Sequence, residues 1–208
     1  MTTTPRLVAV TAGLSQPSAT RLLADRLTTA TRDHLARAGR DAETRTVELR
    51  EHATDIASHL VTGFPTPTLR GTLDAVRNAD ALIAVTPIFA ASYSGLFKSF
   101  FDLLDPADLD GTPVLIAATG GTPRHSLALE HALRPLFAHL HATVVPTAVF
   151  AAAEDWGGTG DSHTAPLPSR IDQAAGQLAA LTPRQHADAE TAETVTPFAD
   201  QLAALRPH

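Results

Sequence analysis

Four short, almost uninterrupted apolar runs, each followed by a stretch of helical period, constrain this chain more than any other feature. They occupy residues 7–10, 81–85, 113–118 and 144–150. Strands apolar on both faces are buried on both faces, as in parallel sheets covered by helices. A fifth run, 44–49, alternates polar and apolar residues, the pattern of an edge strand with one covered face.

The segments between the runs read as amphipathic helices. From 20 to 38 the apolar stripe is Leu23, Leu27, Ala30 and Leu35, and Gly39 stands where a left-handed C-terminal residue belongs. Leu69, Leu73 and Val76 repeat in the same way before the third strand. Leu129, Leu133, Leu136, Phe137 and Leu140 do so after the fourth, and a last helix is expected over 171–181. Strict alternation with short right-handed crossovers predicts an α/β fold: a doubly wound five-stranded parallel sheet, order 2-1-3-4-5, with helices on both faces. Residues 1–182 form one domain in this reading. Residues 183–208 continue as a C-terminal arm, either partly helical or disordered.

Composition removes several classes of chemistry. There is no cysteine among the 208 residues, so disulfides, thiolate metal sites and cysteine nucleophiles are excluded. The net charge of -6 comes without a basic block, which argues against nucleic acid and for a small-molecule partner. No run approaches the length of a membrane span and no leader pattern opens the chain, so a cytoplasmic, membrane-free location is expected. The first loop contains neither G-x-G-x-x-G nor G-x-x-x-x-G-K-[ST], which disfavours a dinucleotide-binding Rossmann domain and a P-loop NTPase.

In the predicted strand order three loops leave the same carboxyl edge, where open α/β sheets bind ligands. The first, 11–20, offers Gly13 for a tight exit and the hydroxyls of Ser18 and Thr20 at a helix start. That arrangement suits a phosphate, and equally Ser18 as a simple helix cap. The second begins at Thr86-Pro87. Proline gives no ladder donor, so the strand should stop there and leave Ile88, Phe89 and Ala90 as a shelf, with Tyr93 close behind. The third holds Thr119, Gly120 and Gly121, either an ordinary glycine turn or a close backbone approach to a ligand. Together the loops offer phosphate donors beside a platform for a flat heterocycle, the shape of a flavin mononucleotide.

The helix after the second loop is apolar almost all round, through Leu96, Phe97, Phe100, Phe101, Leu103 and Leu104. Either the domain buries it or it forms a subunit interface. The interface is the expectation, because one sheet face cannot cover every side of a helix.

These residues resemble the NAD(P)H-dependent FMN reductases of the flavodoxin-like superfamily, and among them the branch that supplies reduced FMN to two-component alkanesulfonate monooxygenases. The motifs that carry the resemblance are 86–98, 118–121 and 134–136. It implies FMN and NADPH or NADH as cofactors, a possible flavin-dependent monooxygenase as partner, and a homodimer or homotetramer. By position it places Ser18 and Thr20 at the flavin phosphate, Pro87, Ile88, Phe89 and Ala90 beside the ring, and Thr119, Gly120 and Gly121 near its pyrimidine edge. The family often has Ser or Thr at Leu14 and Arg at Gln16 and Ala19. A neutral amide in place of an arginine fork weakens anion binding, so FMN is expected to be loosely held. Hydride transfer between stacked rings asks for no protein acid or base, and no catalytic residue is named. The competing readings are a flavin-retaining quinone or azo reductase and a non-enzymatic flavodoxin-like carrier.

Pro135 inside the helix of loop three removes a hydrogen bond to the His131 carbonyl, which predicts a kink or π-bulge there. In the resembling branch this turn lies at a tetramer interface, so His131 is either an interface residue or a surface histidine on a bent helix. His125, His131, His139 and His141 share no helical face with carboxylates, and no metal site is expected. Trp156 either covers the nicotinamide pocket or belongs to a satellite core.

Overall fold

A computed structural model describes residues 4–157 and 165–183. The expected C-terminal arm, from 184 onward, and most of the glycine-rich stretch after Trp156 lie outside them. Seven strands form the sheet: β1 (Arg6–Thr11), β2 (Glu43–Glu48), β3 (Ala81–Phe89), β4 (Ser92–Tyr93), β5 (Pro113–Gly120), β6 (Thr143–Val144) and β7 (Val149–Ala152). The order is β2-β1-β3-β5, with β6 and β7 both pairing to β5. Every pairing is parallel except that of β4 with β3. This is the predicted 2-1-3-4-5 order with the fifth strand in two pieces.

Period-2 alternation sorts the strand residues between two cores. Leu7, Ala9, Ile83 and Leu115 pack under α1 (Ala19–Arg37) and α6 (Leu167–Leu181). Val8, Val10, Leu82 and Ile116 pack on the opposite face against α3 (Pro67–Arg77), α4 (Gly95–Phe101) and α5 (Arg134–His139). Gly39, at φ 69°, closes α1: its N–H bonds to the Ala36 carbonyl and that of Arg40 to Leu35. The pair of bonds is a Schellman ending, which needs the left-handed residue glycine supplies.

Four local expectations are corrected. First, β3 runs on to Phe89 instead of ending at Pro87. Pro87 still pairs in register with Thr119, and Ile88 and Phe89 change partner to Tyr93 and Ser92. Second, the run at 144–150 is interrupted around Pro146. The gap is filled by side chains: Arg134 donates to the carbonyls of Val145 and Pro146 at 3.2 Å each, and Gln177 Oε1 accepts from the Thr147 N–H at 2.8 Å. Third, a helix at Ala53–Thr62 (α2) has no counterpart in the sequence reading, because Ile56 is its one buried residue and leaves no stripe to detect.

Fourth, the apolar helix is covered by its own domain. Phe97, Phe100, Phe101 and Leu104 are buried, and the ring of Phe101 lies 4.7 Å from that of Phe97 and 4.9 Å from that of Phe137. The α5 region supplies the wall that the sheet alone lacks. Leu96 and Leu103 stay half-exposed. The bend foreseen at His131 is present as a π-helical turn over Leu129–Leu133, followed by α5 with Pro135 in its first turn. Placing the proline at a new helix start removes the clash, since the first N–H groups of a helix lack partners anyway.

Candidate active site

The first loop is built around Ser18. Its extended backbone (φ -117°, ψ 120°) starts α1, its Oγ accepts from the Arg21 N–H at 3.2 Å, and its carbonyl accepts from the Leu22 N–H at 3.0 Å. Ser18 is therefore a working helix cap. Gly13 is required by the same hydroxyl, because a Cβ there would lie 2.0 Å from Ser18 Oγ. Thr20 turns inward, with its hydroxyl 2.8 Å from that of Thr119 on β5. Helix geometry leaves the N–H groups of Ala19 and Thr20 without intrahelical acceptors, at the positive end of a 19-residue helix. An anion's oxygens fit there.

The second loop is a hairpin. Ile88 pairs with Tyr93 and Phe89 with Ser92, so Ala90 and Ala91 are the whole turn, and both take positive φ, 46° and 66°. Such a two-residue turn suits the twist of the strands but strains alanine. The fully buried Thr86 anchors the far side: its Oγ1 accepts from the Ser94 N–H at 3.0 Å and donates to the Pro87 carbonyl. Ser94 in turn caps α4 through the Phe97 N–H. Phe89 is left 47% exposed at the mouth of the site.

The third loop lies beside the other two because β5 pairs with β3. A Cβ on Gly120 would come within 2.8 Å of the Phe150 ring, whereas one on Gly121 would meet nothing within 4 Å. The first glycine allows strand packing and the second leaves open space.

The loops enclose a cavity of about 540 Å³. Leu14, Ser18, Ala19, Thr20, Pro87, Ile88, Phe89, Thr119, Gly120 and Gly121 line it, joined by Ser15, Ala153 and Trp156. Ten of the fourteen candidate residues thus meet in one place. The other four do not line it. Gly13 lies beneath, against Ser18, and Ala90 occupies the hairpin tip. Tyr93 belongs to a separate groove between α4 and the π-helical turn, which also holds His131 and Pro135. Gln16 turns to Arg50, and with its amide oxygen toward the guanidinium it accepts from Nη1 at 2.7 Å.

Trp156, which the sequence left between a pocket cover and a satellite core residue, lines the cavity and also packs against the core under α1 and α6. It stands on the cavity wall, backed by Arg26, whose guanidinium carbon is 5.0 Å from the ring centroid. An aromatic residue four positions past the end of β7, on the ligand edge, was the available signal. No group of three or more His, Cys, Asp or Glu side chains among the described residues is arranged to hold a metal ion.

A sequence profile described as NADPH-dependent FMN reductase matches residues 5–157, the stretch that carries all three loops. The chain belongs to that family. It is 37% identical over 186 residues to an FMN reductase (NADPH) from Pseudomonas aeruginosa, covering 87% of this chain and 94% of that protein. It is 36% identical over 187 residues to the NADH-dependent FMN reductase SfnE of Pseudomonas putida, covering 90% and 97%. Among solved structures, an oxidoreductase from Corynebacterium diphtheriae superposes with a TM-score of 0.81 at 44% identity, covering 86% of this chain and 97% of that one. A flavodoxin, WrbA-like protein from Agrobacterium tumefaciens superposes at 0.56 with 15% identity, covering 86% and 98%, and shares the fold. FMN with a nicotinamide nucleotide as electron donor is the chemistry of this family. Among the described residues, no helix is long and apolar enough to cross a membrane.

Proposed function

We propose that this chain is a cytoplasmic NAD(P)H:FMN oxidoreductase that binds FMN reversibly and passes the reduced flavin to a flavin-dependent monooxygenase. The observation that carries the reading is the convergence of ten candidate residues on one cavity, where Ser18 and Thr20 of the first loop meet Pro87, Ile88 and Phe89 of the second and Gly120 and Gly121 of the third. Its volume lies in the roughly 300–1,000 Å³ range of small-molecule sites. The residues fit the group: the Ala19 and Thr20 N–H groups with Ser15 and Ser18 would hold the phosphate. Phe89, Gly120 and Gly121 would flank the ring, the open space at Gly121 being a cradle that a side chain would fill.

When bound, FMN supplies the hydride acceptor. The residues of this chain do the rest by binding and orientation. Backbone N–H groups of the 119–121 loop favour negative charge on an adjacent ring, and Trp156 with Phe89 limits the entry of water. No side chain is assigned as acid or base.

Reversible binding is supported by a phosphate loop whose direct contacts are neutral, with Leu14, Gln16 and Ala19 where the family often has hydroxyls and arginines. The partner oxygenase is supported by the SfnE relative, and assembly into a homodimer or homotetramer by the groove at the π-helical turn. The test is flavin retention. A desalted protein should be colourless and recover NAD(P)H oxidation on addition of FMN. A protein that stays yellow and turns over a quinone by ping-pong kinetics would contradict release and favour a flavin-retaining reductase.

A further inference from the structure

Beside the phosphate loop, and outside the cavity, lies a charged cluster contributed by the end of β2. Glu48, the last residue of that strand, accepts from Arg50 Nε at 2.9 Å through Oε2 and forms an ion pair with the same guanidinium, whose Nη2 lies 2.9 Å away. Its other oxygen accepts from Arg21 Nη1. Arg21 also donates to Asp25 at 2.8 Å, and its own backbone N–H is the group capped by Ser18. The remaining face of the Arg50 guanidinium lies against the Gln16 amide, whose oxygen is assigned to that side because only donors surround it there, and which then accepts from both Nη1 and Nη2. The Arg50 and Glu48 side chains are mostly withdrawn from water, 19% and 17% exposed, while Arg21 is 37% exposed.

The result is a closed strap. Gln16 in the middle of the loop is held to Arg50 and Arg21 just past its end to Glu48, so the loop between them is pinned at two points to the end of β2 and the turn that follows it. Arginine suits such a junction because its rigid planar fork fixes the directions in which it serves its acceptors, whereas lysine is a point charge on a flexible stem. Four opposite charges balance within the cluster, so its effect on a bound anion comes through the shape of the loop. The sequence shows only that Gln16 replaces a residue often basic in the family; the structure shows what that amide holds.

We propose that Arg50 is a positioning residue for the flavin phosphate site: through Gln16 it fixes the loop in the shape that presents the Ala19 and Thr20 N–H groups, so that recognition of the 5′-phosphate depends on a residue from the helical turn that follows β2. This rests on the FMN reading above. Gln16 then acts as the latch and makes no contact with the phosphate. Because the strap touches only the phosphate end, it governs the difference between FMN and riboflavin, which share the ring and the ribityl chain and differ only in the phosphate.

The test compares equilibrium binding of FMN and of riboflavin, followed by flavin fluorescence, in the wild type, Arg50→Met, Gln16→Ala and the double variant, with thermal unfolding recorded for each. Arg50→Met should weaken FMN about tenfold, the scale of a lost charge-assisted hydrogen bond, while riboflavin changes less than about twofold. Gln16→Ala should reproduce the effect, and the double variant should add nothing to it, the sign of two residues acting as one unit. Unchanged FMN binding, or equal weakening of both flavins with a lowered Tm, would overturn the proposal while leaving the functional reading intact. A wild type that binds no FMN would overturn both.

Discussion

The hydroxyl of Thr20, at the start of α1, lies 2.8 Å from that of Thr119, near the end of β5, and both side chains are buried. This single contact joins the phosphate loop to the glycine loop across the cavity floor. Removing one partner leaves the other hydroxyl buried and unpaired, which costs about 1–3 kcal/mol, whereas replacing both with valine restores a matched apolar pair. Thr119→Val should therefore lower stability in urea unfolding by that amount. The Thr20→Val, Thr119→Val double variant should recover most of it, and a double variant that sums the two losses would contradict the pairing.

Gly13 and Ser18 form a second dependent pair. An alanine at 13 would force the Ser18 hydroxyl out of its capping position. Gly13→Ala should cost about 1–2 kcal/mol, with the cap as the main part. In a Ser18→Ala background, where no hydroxyl stands in the way, the same change should cost less than half as much by chemical denaturation.

The hairpin stores strain that can be released. Ala91 sits at φ 66°, where glycine carries no Cβ penalty. Ala91→Gly should stabilise the fold by roughly 0.5–1 kcal/mol after the entropy of the freer unfolded chain is counted, which raises Tm by about 1–4 °C in a protein of this size. Calorimetry checks both sign and size.

Much of this architecture is legible in the residues. Apolar runs place the strands because a buried strand must be apolar on both faces, and Ser18, read as a helix cap, places the start of α1. The hairpin is hidden, since Ala90-Ala91 carries none of the Asn-Gly signal of such turns. The break at Pro146 is hidden as well: the partners that make it tolerable, Arg134 and Gln177, come from elsewhere in the chain. At the site, ten candidate residues line the cavity by virtue of loop position alone. Gln16 and Tyr93 do not, because local sequence says which loop a residue is on but not which way its side chain turns.

The arginine that bridges the Pro146 break also sets a pH dependence. Its hydrogen bonds to Glu130, with the attraction between their charges, hold that carboxyl below its usual range, against the opposing effect of burial. A depressed carboxylate pKa contributes stability that is present above the unfolded value, about 4.3, and is lost as pH falls through the lower folded value. Glu130 is about half exposed, so solvent screening limits the contribution to less than about 1 kcal/mol. Glu130→Gln should be slightly less stable than wild type at pH 7, and the gap should close as pH drops below about 4.

If the cavity is a flavin site that works with a nicotinamide nucleotide, catalysis must depend on added FMN. Steady-state oxidation of NADH and of NADPH, followed by the absorbance of the reduced nicotinamide with and without added FMN, is the decisive measurement. The account predicts turnover with at least one nucleotide that saturates with FMN and is close to zero without it. A rate that does not respond to FMN with either nucleotide would contradict it.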